Sequence, residues 1–122
     1  MKHRWLIVSL LPLLSACSKN ADVEQFVKEQ DGLVTEIIAT KDADSAQKAF
    51  DAKKDDLKSK LAPIKTARGF QVSKENMTAL TTSLTNGVTS VCGLQLKALS
   101  NPTQSAKYKS LCDEYTSTMT SN

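Results

Sequence analysis

A chain of 122 residues with 16 Lys and Arg against 13 Asp and Glu, one His and three Cys has room for one small domain. Its formal net charge of +3 is too weak a field to support nucleic-acid binding. A single His leaves little from which to build a His-based catalytic or metal centre.

The chain opens with Lys2 and Arg4, then an apolar run from Trp5 to Leu14, then the small residues Ser15 and Ala16, then Cys17. A basic start, an apolar stretch and small residues beside a cut form the grammar of an export signal. About 10 apolar residues make roughly 15 Å of helix against a hydrocarbon core of about 30 Å, so the run does not span a membrane. Leu14-Ser15-Ala16-Cys17 resembles the lipobox of bacterial lipoproteins, whose cysteine is acylated and whose signal is cut just before it. The resemblance covers residues 1–17. It implies a signal over 1–16, a lipid anchor on Cys17 and a place in the bacterial cell envelope. In enteric-type sorting Asp after the cysteine retains a lipoprotein in the inner membrane, so Ser18 implies the outer membrane. The competing reading is an ordinary secretory signal with an accidental cysteine.

Cleavage before Cys17 would remove the only His, His3, and the only Trp, Trp5, and would leave 14 basic against 13 acidic residues. The mature chain then divides into a lipidated tether over 17–21 and a helical domain over 22–122. Its first helix is expected from Ala21 to Thr40, where Val23, Phe26, Val27, Leu33, Val34, Ile37 and Ile38 recur at three- and four-residue steps. Asp22, Glu29 and Glu36 take the opposite face. Gly32 costs about 1 kcal/mol relative to Ala there, so burial has to hold this element.

A second helix is expected from Asp44, with Asp44 and Gln47 at capping-box spacing and Ala46, Phe50, Leu57, Leu61 and Ile64 as its buried stripe. Asp44 with Lys48 and Asp56 with Lys60 stand at i,i+4, acid first. Pro63 predicts a kink or an early end, and Gly69 the stop. Ser73 then caps a third helix, with Val72 placed to staple onto Met77. Met77, Leu80, Leu84, Val88, Val91, Gln95 and Ala98 stay in phase across the turn dipeptide Asn86-Gly87, which favours one continuous helix. Asn101-Pro102 opens the last helix, with Gln104 at capping-box spacing and Tyr108, Leu111, Cys112, Tyr115 and Met119 on its apolar face. The expected fold is all-α, a small up-and-down four-helix bundle. A three-helix version broken near Pro63 or Asn86-Gly87 is the alternative.

With Cys17 committed to lipid, Cys92 and Cys112 remain, and an even pair in an oxidising compartment is most simply a disulfide. They lie at similar heights about the turn near Ser100 to Pro102. Zinc is disfavoured because two thiolates and no His make an incomplete site. A redox role is disfavoured because the pair is not Cys-x-x-Cys.

No residues single out a reaction. A Ser or Cys nucleophile lacks a His base, no Ser-Lys pair stands out, and Asp55-Asp56 and Asp113-Glu114 diverge around their helices. The chain is therefore expected to be no enzyme and to need no cofactor, metal or nucleic acid. Two surfaces remain. Lys58, Lys60, Lys65, Arg68 and Lys74 run without an acid and suit anionic head groups, although dispersed solvated charge is the simpler account. Thr78, Thr82, Thr85 and Thr89 recur on one face of the third helix, with Thr81, Ser83, Asn86 and Ser90 around them. Uncharged short side chains are easily desolvated against a partner, so this stripe is read as a docking face or else as plain polar surface. Phe26, Phe50, Tyr108 and Tyr115 fall on apolar stripes and are read as core, while Phe70 is off phase. The expected function is a non-catalytic, membrane-anchored lipoprotein that binds another envelope component. An inhibitor or immunity role against a toxin or hydrolase, and a lipid carrier, are the alternatives.

Overall fold

The computed structural model describes residues 18–67 and 71–120, and within them the chain forms helices and no strand. The helices are α1 (Asn20–Ile38), α2 (Ala43–Lys65), α3 (Lys74–Lys97) and α4 (Pro102–Thr120). The architecture is the expected all-α four-helix bundle.

The helices pair as two antiparallel hairpins, α1 with α2 and α3 with α4, and the hairpins stack so that α1 packs on α3 and α2 on α4. Hydrogen bonds at the helix starts show that these last two pairs run parallel. The backbone N of Ser73 donates to Asn20 Oδ1 at 2.8 Å, and that of Lys19 donates to the Gln71 carbonyl at 2.7 Å. At the other end the backbone N of Ala43 donates to Gln104 Oε1 at 2.8 Å, and Lys107 Nζ meets Asp44 Oδ1 at 3.0 Å. Consecutive helices therefore alternate in direction, but α2 and α3 occupy a diagonal. The chain passes from α2 to α3 at one end of the bundle, here termed the crossover end, which also holds Ser18 and the last turn of α4. The loops 39–42 and 98–101 form the turn end.

Apolar side chains from every helix meet in the centre. Phe26, Phe50, Leu57, Leu111, Tyr115 and Met119 are among those withdrawn almost wholly from water, each worth on the order of 1.5–3 kcal/mol relative to exposure. The Phe50 and Tyr115 rings lie 5.6 Å apart and tilted by 54°. Cys92 and Cys112 form the expected disulfide, with Cα atoms 4.7 Å apart, and it clips α3 to α4.

Several local expectations are corrected. Asp42, not Asp44, caps α2, because its Oδ1 accepts from the backbone N of Ser45 at 2.7 Å. Gln47 does not reach back to the cap; its Nε2 donates to Asp51 at 2.9 Å and Glu114 at 3.0 Å. Asp44 pairs with Lys107 on α4 in place of Lys48, whereas Asp56 does pair with Lys60, at 3.1 Å. Pro63 sits inside α2, which continues to Lys65; late in a helix a proline forfeits a single hydrogen bond. Gly69 and Phe70 lie outside the described residues. Asn101 Oδ1 caps α4 through the backbone N of Gln104 at 3.1 Å, but the Gln104 side chain satisfies the start of α2 instead of closing a local box. Within the span 17–21, Lys19 is bonded to the Gln71 carbonyl and α1 already begins at Asn20.

The third helix is capped by Ser73, which accepts from Asn76 at 3.2 Å, and it runs unbroken through Asn86-Gly87. Its buried face is rotated from the expected one and centres on Leu80, Ser83, Gly87, Val91 and Leu94. Met77 is 45% exposed, so the staple with Val72 is not made, although Val72 itself is buried. Ser83 leaves the polar stripe for the interior, where its hydroxyl donates to Asp31 Oδ1 at 2.6 Å. The cause is Gln30, a polar residue buried at the centre of α1. Its Nε2 donates to the Ser83 carbonyl at 3.4 Å and to the phenolic oxygen of Tyr115. Only a helix face without a side chain at Gly87 admits that contact, since a Cβ there would overlap both Gln30 and Tyr115.

Candidate functional site

Among the described residues no three His, Cys, Asp or Glu side chains gather where they could hold a metal ion, and no helix is long and apolar enough to cross a membrane. The ionisable groups that depart from ordinary behaviour are explained by local partners. The hydrogen bond from the backbone of Ser45 holds the Asp42 carboxyl below its usual range. Burial pushes the Tyr115 phenol up to about 12 against the donated bond from Gln30.

The basic run does not form one patch. Lys58, Lys65 and Lys74 are exposed, the first two on the outer side of α2 and the third at the start of α3. Lys60 is withdrawn from the set: its Nζ reaches Glu29 Oε2 on α1 at 2.6 Å and Asp56 Oδ2 at 3.1 Å. Those hydrogen bonds, that to Glu29 foremost, raise its pKa. The antiparallel register of α1 against α2 makes this pairing, and neither helix alone discloses it. Arg68 lies outside the described residues, as does Cys17.

Thr78, Thr82, Thr85 and Thr89 are all exposed, as the periodicity predicts. Between Glu75 and Lys97 α3 carries no charged residue. Continuing the same seven-residue step from Thr82 and Thr89 arrives at Leu96, which is 70% exposed, with Leu99 at 65% just beyond. The sequence reading missed these two leucines; the step through Thr89 was the signal that would have found Leu96.

The stripe ends beside a concavity of about 320 Å³ at the turn end, bounded by Ile38, Lys41, Leu94, Lys97, Ala98 and Tyr108 among others. Ile38 is 38% exposed, because the helix ends before its turn can be covered. Tyr108 is buried by the same surface, which together with the charge of Asp42 raises its pKa.

No protein-family model, characterised protein or solved structure matches the chain.

Proposed function

We propose that the chain is a bacterial envelope lipoprotein, held to the membrane through acylated Cys17, that acts by binding another envelope component and not by catalysis. One observation carries the anchor: the chain has three cysteines and two of them, Cys92 and Cys112, are bonded to each other. Cys17 is thereby the odd thiol, at the end of a signal-like segment, and an odd cysteine in an exported protein calls for a use. Acylation at a lipobox supplies one. Ser18 favours the outer membrane in enteric-type sorting. The bundle begins at Lys19, so an anchored Cys17 leaves a single residue, Ser18, between lipid and folded domain. The crossover end would then rest at the head groups, with Lys65 and Lys74 near it.

Binding in place of catalysis is supported by the exposed threonine stripe and its two leucines, a surface that can be dried without burying charge. An inhibitory or immunity role would use the same surface. The test is mass spectrometry of the protein expressed with its signal. The expected product starts at Cys17 and carries diacylglyceryl and acyl mass, and Cys17→Ser is released from the membrane fraction. An unmodified cysteine, or cleavage elsewhere, removes the anchor from the proposal.

A further inference from the structure

We propose that the concavity at the turn end is a docking groove for an acidic segment of a partner protein that carries one bulky apolar side chain. Ile38, Leu94, Ala98 and Tyr108 line it beside an equal number of neutral polar residues, and Lys41 and Lys97 bring its two charges. Leu99, which is 65% exposed, stands in the chain between two residues that line it, Ala98 and Ser100. At about 320 Å³ the space lies at the lower bound of ligand sites, which suits a side chain and is too small to enclose an acyl chain.

The charge balance of this end selects the partner. Lys107 and Lys109, on the first half of α4, are each held by a carboxylate of the chain. Lys41 and Lys97 meet none among the described residues. Asp44 is paired with Lys107, and Asp42 keeps its charge while it caps α2 through the backbone N of Ser45, so Lys41 and Lys97 outnumber the carboxylate left beside them. Two ammonium groups without an ion pair among the described residues therefore flank apolar side chains, the complement of an apolar residue between carboxylates.

The described ends of α2 and α4, Lys65 and Thr120, stand at the crossover end, the length of a helix from the concavity, and α1 with its 19 residues is about 28 Å long. The exclusion of residues 1–16, and of the membrane's own lipids as occupants, rests on the anchored reading above. A second copy would bring the same uncompensated lysines in a self-complementary contact, so it fits less well than an acidic partner.

The experiment is an NMR titration of the full lipidated protein in detergent with the acetylated, amidated pentapeptide Glu-Asp-Leu-Asp-Glu. Comparison peptides replace Leu with Ala, or the acids with Lys. Shift changes should centre on Ile38, Ala98, Ser100 and Gln104. The dissociation constant should rise about tenfold with the Ala peptide and about tenfold in each of Lys41→Glu and Lys97→Glu, with Lys28→Glu unchanged. Absence of shifts at millimolar peptide overturns the proposal. Equal binding of the basic or Ala peptide, or indifference to both lysine substitutions, does the same. So does a dimer in sedimentation whose contact covers these residues. The mass of Cys17 is read on the same preparation, so binding with an unacylated cysteine defeats the anchor and leaves the groove standing.

Discussion

Gln30 on α1 and Tyr115 on α4 are hydrogen-bonded across the diagonal of the bundle, amide nitrogen to phenolic oxygen, through the gap that Gly87 leaves on α3. A polar pair in the centre of a small core sets helix register and rotation, because sliding any of the three helices would leave buried polar groups unpaired.

The glycines test this directly. Ala at an interior helix position normally gains about 1 kcal/mol over Gly, and Gly32→Ala and Gly93→Ala, where a Cβ meets nothing, should raise stability by about 0.5–1 kcal/mol. Gly87→Ala should lower it, because the new methyl overlaps Gln30 and Tyr115 and overpacking costs about 1–3 kcal/mol. Urea denaturation of the three variants decides the matter. A stabilised Gly87→Ala would show that the Gln30–Tyr115 contact yields at no cost.

Tyr115 predicts the alkaline limit of the fold. Its phenol is pushed up from 10.0 to about 12 by burial, while in the unfolded chain it ionises at the ordinary value. Its contribution is therefore intact below pH 10.0 and is lost as the pH rises toward 12, with a slope of about 1.4 kcal/mol per pH unit. Tyr115→Phe should lower stability near neutrality, since the buried Gln30 amide keeps the Ser83 carbonyl but loses the phenolic oxygen, and should also flatten the alkaline decline. Urea midpoints measured across that range, for wild type and variant, give both results.

At the acid end the sign reverses for Asp42. Its carboxyl is held below the usual range by the Ser45 amide, so its contribution is present above that range and disappears as pH falls through the lowered value. Asp42→Ala should reduce the thermal midpoint at neutral pH more than Asp44→Ala, because only Asp42 caps α2. Equal losses would return the cap to the box first expected from Asp44 and Gln47.

Removal of the Cys92–Cys112 clip should cost about 2–5 kcal/mol, as for native bridges in small exported domains. Cys92→Ser with Cys112→Ser, measured by denaturant midpoint, provides the figure. Full alkylation of both thiols in unreduced protein from the cell envelope would mean that the bridge is not used there.

Substituting Lys at Thr82 and Thr85 separates docking from folding. Exposed substitutions change stability by about 0.5 kcal/mol or less, so melting should be unchanged. A charge pressed into a dry contact requires desolvation, so capture of an envelope partner should weaken by about 1 kcal/mol or more per Lys. Unaltered capture would leave the stripe as solvated surface.

The local signals that could be read in the chain were those settled within one helix. Ser73 and Asn101 cap where their spacing places them, and the apolar stripes of α1, α2 and α4 are buried much as their periodicity requires. Gln104 and Gln47 have capping-box spacing too, yet each is drawn to a neighbouring helix. Local spacing shows that a side chain can close a box; only packing shows whether a better partner stands opposite. Lys60 follows the same rule: besides Asp56 within its own helix it meets Glu29, 31 positions away in the chain and adjacent in space.

By itself the sequence determined an all-α chain, the helical segments along it, the cysteine pair and the exposure of the threonine stripe. These follow from periodicities and counts intrinsic to each segment. Tertiary structure decided which helices are neighbours, and so the diagonal placing of α2 and α3, the rotation of α3 and the groove between its end and Ile38. Hydrophobic periodicity is nearly indifferent to small rotations of a helix, whereas a buried amide is not. Once Gln30 must meet Tyr115, the face with no side chain has to lie inward, and Gly87 displaces Met77 and Gln95 from the core.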